Sequence, residues 1–399
     1  MVTETELADT LVGSLETLEV AVTSLNRIRC EINCQMVNVR KCSVLLHDIF
    51  NSTSPIDNLS KRLRANERKK KTDKAENVKI KNFCLVEFEN FDLLKTIGIG
   101  GSGKVFLARY KPTFKLYAIK ALRKSFITKN NCEQNVITER RILELGYNHP
   151  FLCSLFCSFQ TNNHLFLVMD YYPGGDFFCG AQVYLAISYL HQHGVLYRDL
   201  KLDNMLIDRQ GNCVITDFGM CKEGISNDNL TSTFCGTAHY MAPEVLKRQK
   251  YGFSVDWWNF GVVIYQLLIG CNPFEAFTTT SVFDVIMSTD PHIPDCLTGH
   301  EKDIIKSLLI KDPQKRLGCS RDGSDDIKYH QFFKYAFNWD DLENMKLKSP
   351  LKPVLLNETD TSNFEASFTK IPPKLFRTYK NIVGTVVDQS AFVSFSFQR

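Results

Sequence analysis

Tyr197-Arg198-Asp199-Leu200-Lys201-Leu202-Asp203-Asn204, followed downstream by Asp217-Phe218-Gly219 and then Ala242-Pro243-Glu244, is the part of the sequence on which the rest turns. Its residue types make one chemical set. Asp199 is suited to accept or orient the proton of an attacking hydroxyl. Asn204 and Asp217 offer an amide oxygen and a carboxylate, the hard donors that Mg²⁺ prefers. Lys201 is placed to stabilise a phosphoryl group in transfer. The order and spacing of all these groups leave chance a negligible explanation.

Upstream, Gly98-Ile99-Gly100-Gly101-Ser102-Gly103-Lys104-Val105 matches G-x-G-x-x-G-x-V. Glycines let a backbone close over phosphates so that its N–H groups face them. The pattern alone is weak, because dinucleotide-binding folds use a similar spacing. Here it joins two strand-like segments instead of opening a helix, which argues against that alternative. Tyr117-Ala118-Ile119-Lys120 follows on a third strand and supplies an ammonium for the phosphates. Glu139, in the helical pattern Asn130 to Gly146, is positioned to hold it. Two more strand-like runs, FCSLFCSFQ and HLFLVMDYY, lead to a break at Pro173 to Gly175, after which the apolar spacing becomes helical (VYLAISYL, VDWWNFGVVIYQLLIG, EKDIIKSLLI).

With these motifs the chain resembles the protein kinase family from Phe91 onward. Tyr197 in place of the usual His resembles the branch containing the cyclic-nucleotide-dependent kinases and protein kinase C. CKEGI, TSTFCGT, SVDWW and KRLG are most similar to protein kinase C and its relative protein kinase N, with RLGCSRDGSDDIKYHQFF leaning to the latter. The resemblance implies an α+β, bilobal protein kinase fold with an antiparallel β small lobe and a mainly α large lobe. It implies residues 91–333 as the kinase domain and residues 334–399 as a C-terminal tail wrapping the small lobe. It further implies a serine/threonine kinase using ATP and Mg²⁺. Asp199, Lys201, Lys120 and Glu139 would be catalytic, and Asn204 and Asp217 would be the metal ligands. Ile97, Gly98, Ile99, Gly100, Gly101, Ser102, Gly103, Lys104, Val105, Ala118, Lys120, Met169 and Leu206 would contact the nucleotide.

The same resemblance implies regulation. Thr233 in TSTFCGT would carry an activating phosphate from an upstream kinase, with Arg198 and Lys222 as counter-charges, and Thr237 would help select a hydroxyl near Asp199. Asn363-Phe364-Glu365 is similar to the tail segment that approaches ATP. Phe392-x-x-Phe395-Ser396-Phe397 is similar to the hydrophobic motif, whose aromatics fill a groove on the small lobe and press the Glu139 helix inward; Ser396 is its phosphorylatable position. The chain also departs from its relatives. Phe376 occupies the tail's intermediate phosphorylation position, with Thr378 close by. Ala238 replaces a proline. Gln266 replaces a glutamate that binds basic substrate residues, leaving Asp176 and Asp203 to favour basic substrates in a blunted way. Between Gly175 and Leu190 roughly 16 residues are missing, about 24 Å of helix at 1.5 Å per residue. That deletion raises a rival expectation, a catalytically impaired, kinase-like interaction protein.

Composition sets the outer limits. The 399 residues, 44% hydrophobic and 23% charged with a formal charge of +4, are ordinary for a globular protein and too weakly basic to argue for nucleic acid. No run approaches a transmembrane helix, and MVTETELADT does not read as a signal peptide. The fourteen cysteines form no C-x-x-C pair, so reduced thiols are expected and zinc is not. Residues 1–90 are left unassigned. They include the basic run Lys61 to Lys74, which reads as a solvated linker or as a patch for acidic lipid or nuclear import. A small GTPase is the other partner the family implies for this region. The expected location is cytoplasmic, with the membrane surface and the nucleus as alternatives.

Overall fold

Short runs rich in aromatic and β-branched residues build the small lobe. In the computed structural model, which describes residues 86–172, 179–274, 281–295, 297–320, 323–334, 336–349, 353, 355–375 and 389–398, these runs become strands. They are β1 (Phe91–Ile99), β2 (Gly103–Tyr110), β3 (Leu116–Arg123), β4 (Leu155–Gln160) and β5 (His164–Asp170). Together with β8 (Phe397–Gln398), far along the chain, they form one antiparallel sheet in the order β1-β2-β3-β5-β4-β8. β5 reads His-Leu-Phe-Leu-Val-Met-Asp without alternation because both its faces are covered, and every residue but Asp170 is buried. The outer face carries Phe91, Phe106, Tyr117, Ile119, Phe166 and Val168. The inner face joins a core that continues into the large lobe.

Between β3 and β4 lie two helices, α1 (Lys124–Lys129) and α2 (Glu133–Leu145). The expected single helix corresponds to α2. α1 is an addition, kept apart from α2 by Asn131, whose φ of 52° no helix accommodates.

The large lobe follows. α3 (Cys179–Gln192) is buried on nearly all sides, and the amide of its buried Gln182 is satisfied: Gln182 donates to Asn212 Oδ1 and accepts from the Cys213 backbone. After the small ladder of β6 (Met205–Ile207) and β7 (Cys213–Ile215) comes α4 (Ser254–Ile269), apolar all round and therefore central. It ends at Gly270, whose φ of 86° suits a left-handed cap. Within α4, a Cβ at Gly261 would lie 2.8 Å from the side chains of Leu308 and Leu309. The glycine is what lets α4 pack closely on α6 (Gly299–Leu308), which follows α5 (Val282–Ser288). Arg316 and Glu244 form a fully buried ion pair beneath α4, backed by the Ser254 carbonyl.

A sheet-rich lobe followed by a helix-rich lobe is the architecture the sequence implied. Eight described cysteines are free thiols, as expected, whereas Cys271 is a correction: it is disulfide-bonded. Among the described residues no helix is long and apolar enough to cross a membrane. Lys61 to Lys74, Asp176, Phe376 and Thr378 lie outside the described residues.

Candidate active site

The loop after α3 puts Asp199 at its centre by holding its backbone in an unusual shape. Arg198 has a φ of 71°, costly for a side chain with a Cβ. The strain persists because Asp256, fully buried at the start of α4, accepts hydrogen bonds from the N–H groups of both Tyr197 (2.9 Å) and Arg198 (2.7 Å). Its carboxylate is also 2.8 Å from His191 Nε2. Asp199 then stands in a compact set: Thr237 Oγ1 donates to Asp199 Oδ1 at 2.6 Å, Lys201 Nζ donates to Thr237 at 2.8 Å, and Lys201 lies 2.9 Å from Asp199 Oδ2. Asn204 Nδ2 donates to Asp199's carbonyl and carboxylate, at 2.9 and 3.1 Å.

Lys120 is the second centre. Its ammonium meets Glu139 of α2 at 2.6 Å and Asp217 at 3.0 Å, so β3, α2 and the Asp217-Phe218-Gly219 turn converge on one cation. Burial works against that charge, but the two carboxylates win and raise the Lys120 pKa far above that of an ordinary lysine. Lys120 in turn holds Asp217 below the usual carboxylate range, so Asp217 is ionised at neutral pH. Burial pushes Glu139 upward, opposed by Lys120. Gly219 lies against the same cluster, where a Cβ would come into van der Waals contact with Asp217 Oδ1 (3.4 Å) and Glu139 Oε2 (3.7 Å). Asn204 adjoins the same place, because the Thr216 N–H donates to its carbonyl at 2.9 Å.

Over this centre the β1–β2 turn is closed by the Gly100 N–H donating to the Gly103 carbonyl at 2.9 Å. A Cβ on Gly103 would fall 2.0 Å from the Ala121 carbonyl, so only glycine fits, while Gly100 faces open space. Ser102 and Gly101 are tied to Arg123 through their carbonyls. Gly98 pairs with Val105, Val105 with Lys120, and Ala118 with the buried Met169, while Ile97 is itself buried. Ile99 ends β1, and Leu206 lies on β6 opposite Val214. Lys104 lies at the start of the return strand β2, opposite Ile99, and its ammonium donates to the Lys374 carbonyl of the tail.

Thr233 is exposed, and its hydroxyl is 3.3 Å from that of Thr231. The Tyr251 hydroxyl donates to the Thr233 carbonyl at 2.6 Å; burial pushes this phenol up to about 12, and the guanidinium of Arg198 works the other way. Arg198 and the Thr233 segment therefore meet at Tyr251. Gln266 stands against the Tyr240 hydroxyl, and Asp203 is exposed beside Asn204.

The tail crosses both lobes. Phe364 stacks on Tyr171, 5.9 Å between ring centres, and the Tyr171 hydroxyl donates to the Asp360 carbonyl. Phe392 and Phe395 are fully buried, with Ser158 and Gln160 of β4 donating to the Phe395 and Phe392 carbonyls at 2.7 and 2.9 Å. Both rings join the core that includes Val136 and Ile142 of α2, and Ser396 remains exposed.

Sequence reasoning missed Asp256, although the acid inside the apolar run SVDWW was a signal for it. It also missed Lys124, a buried lysine whose ammonium donates to Gln160 and to Gln389 of the tail.

The chain matches the protein kinase domain family over residues 91–180 and 178–333, and the protein kinase C terminal domain family over residues 356–397. The two kinase-domain segments overlap at residues 178–180, where α3 begins. The chain is 45% identical over 324 residues to protein kinase C of Drosophila melanogaster, covering 77% of this chain and 43% of that protein. It is 42% identical over 327 residues to protein kinase C epsilon type of Oryctolagus cuniculus (77% and 44%), and 42% over 325 residues to protein kinase C delta type of Rattus norvegicus (77% and 47%). The chain thus spans less than half the length of these relatives.

Proposed function

The chain belongs to the protein kinase family, and on that premise we propose that it transfers the γ-phosphoryl group of ATP to serine or threonine hydroxyls of proteins. The observation that carries this reading is the hydrogen-bonded set Asp199–Thr237–Lys201 beside the Lys120–Glu139–Asp217 cluster. In it, Asp199 receives the proton of the acceptor hydroxyl, and Thr237 and Lys201 fix the carboxylate's direction. Lys201 faces the charge that develops on the transferred group, while Glu139 keeps Lys120 turned toward the α- and β-phosphates. Phosphoryl transfer needs little more from a protein than such positioning and charge.

Asn204 and Asp217 fit Mg²⁺: both offer hard oxygens, Asp217 is held ionised, and phosphate oxygens would complete the shell. The ion would supply charge neutralisation between the phosphates.

Thr233 is the position proposed for an activating phosphate from an upstream kinase, with Arg198, joined to its segment through Tyr251, as counter-charge. Ser396, exposed beside the buried Phe395, is the second. The break of the kinase-domain match into two segments at residues 178–180 supports the reading that residues usual between Gly175 and Leu190, part of the outer wall of the nucleotide site, are missing here. Lys61 to Lys74 would add an acidic-lipid contact to a cytoplasmic enzyme; unchanged vesicle binding after neutralising that run would remove this element.

The test is transfer of labelled phosphate from Mg-ATP to an arginine-flanked serine peptide, beside an Asp199→Ala control. Transfer is expected, with the control lower by about 10³-fold or more. No transfer from folded protein phosphorylated at Thr233 would leave the kinase-like interaction protein as the better account.

A further inference from the structure

The tip of the β2–β3 hairpin has chemistry that the active site does not use. Residues 109–115 read Arg-Tyr-Lys-Pro-Thr-Phe-Lys, three cations and no acid around a single threonine hydroxyl. Lys111, Pro112, Thr113, Phe114 and Lys115 are all exposed, and Phe114 shows 73% of its surface to solvent. Phe114 also has a φ of 59°, so a bulky aromatic is held in a region that favours glycine. The turn is closed by backbone bonds alone: Thr113 and Phe114 donate to the Tyr110 carbonyl at 3.3 and 2.7 Å, and Tyr110 donates to Lys115 at 2.9 Å. The Thr113 hydroxyl accepts only a long contact, 3.4 Å, from the Lys115 N–H.

We propose that Thr113 is a phosphorylation site, modified by the active site of a second copy of this chain. The proposal rests on the kinase reading above and adds to it a substrate. Charge complementarity selects the acceptor. The candidate cleft presents the exposed Asp203, and the hairpin presents Arg109, Lys111 and Lys115 on both sides of the hydroxyl. An acceptor must lie extended in the cleft, and extending this tip releases the strained φ of Phe114.

The reaction must run between two molecules. Lys120, which marks the cleft on β3, lies four residues beyond Leu116, roughly 13 Å along the strand at about 3.3 Å per residue. The hairpin is fixed by its pairing in the sheet, and Lys115 is bound to Asp170 at 3.0 Å. In the step itself Thr113 Oγ attacks the γ-phosphorus of ATP and a new O–P bond forms. The bond from that phosphorus to the β–γ bridging oxygen breaks, ADP leaves with the electron pair, and the hydroxyl proton passes to Asp199 of the acting copy.

The test mixes the active full chain with an Asp199→Ala copy as acceptor, in Mg-ATP labelled at the γ-phosphate, and maps the phosphopeptides by mass. Label is expected on the hairpin of the inactive copy, dependent on the active one and absent when the acceptor also carries Thr113→Val. A synthetic peptide of residues 107–118 separates motif from accessibility. It should be phosphorylated, and changing Lys111 and Lys115 to alanine should lower its kcat/KM by about tenfold or more. If the arginine-flanked serine peptide is labelled but the hairpin of the acceptor copy is not, the proposal is overturned and the kinase reading stands. If neither is labelled, both fall. Labelling of the hairpin by another basic-directed kinase but not by this chain also overturns it.

Discussion

His149 sits in surroundings that suit only a neutral imidazole. Its Nδ1 accepts a hydrogen bond from the Phe151 N–H at 3.3 Å, and its ring packs near Tyr189 and Phe151. Burial, with the nearby His193 as a second cause, lowers its pKa from 6.5 to about 4. The folded state therefore resists a proton that the unfolded chain takes up near pH 6.5. The stability this imidazole contributes is fully present above about 6.5 and declines as the pH falls toward about 4. Urea midpoints across that window should fall, and His149→Asn should flatten the decline; an unchanged slope would exclude His149 as its source. At this scale legibility followed chemistry. Asp199, Lys120, Glu139 and Asp217 could be picked out because rare side-chain types recur at a fixed spacing. Asp256 could not be assigned its role, because its partners are the backbone N–H groups of Tyr197 and Arg198, and every residue but proline carries such a group. The contact of Lys104 with the tail was hidden for a related reason: its acceptor is a backbone carbonyl from a distant segment.

α2 is positioned by more than the Lys120–Glu139 pair. Arg141 forms an ion pair with Glu223, and the Thr138 hydroxyl donates to the same carboxylate at 3.2 Å. Glu223 lies four residues beyond Gly219, so this contact ties the helix bearing Glu139 to the segment bearing Asp217. Arg141 and Glu223 are partly exposed, so their contribution to global stability is small, about 1 kcal/mol or less. Their role is alignment. Glu223→Gln should leave the unfolding midpoint nearly unchanged yet lower kcat several-fold in peptide phosphorylation; an unaltered kcat would show that Lys120 alone sets the helix. Elements with a strong periodic pattern, such as β5 and α4, were legible because burial on all sides demands an unbroken apolar run. α1 was not, because six residues carry too little pattern and its end is set by the backbone of Asn131.

Across the whole molecule the tail joins what the chain order separates. Lys95 donates to Thr361, Thr96 to the Pro372 carbonyl and Lys104 to the Lys374 carbonyl, while Phe392 and Phe395 complete the core beside α2. Removing a fully buried phenylalanine ring typically costs about 3–5 kcal/mol. Phe395→Ala should therefore lower stability by that order in denaturant titrations and speed proteolysis of the tail. Loss of proteolytic protection without any loss of stability would show the tail to be a passenger on the small lobe. The motif of this tail was legible in sequence; its incorporation as a sixth strand was not, because two residues are too few to show a strand pattern.

That sixth strand has a consequence for how the protein is made. Ser158 of β4 waits for Phe395, 237 residues later. At about 5–20 residues per second, a ribosome needs roughly 12–47 seconds to supply it. Throughout that interval β4 is an open sheet edge beside an unfilled apolar groove, the kind of surface that recruits chaperones or a neighbouring nascent chain.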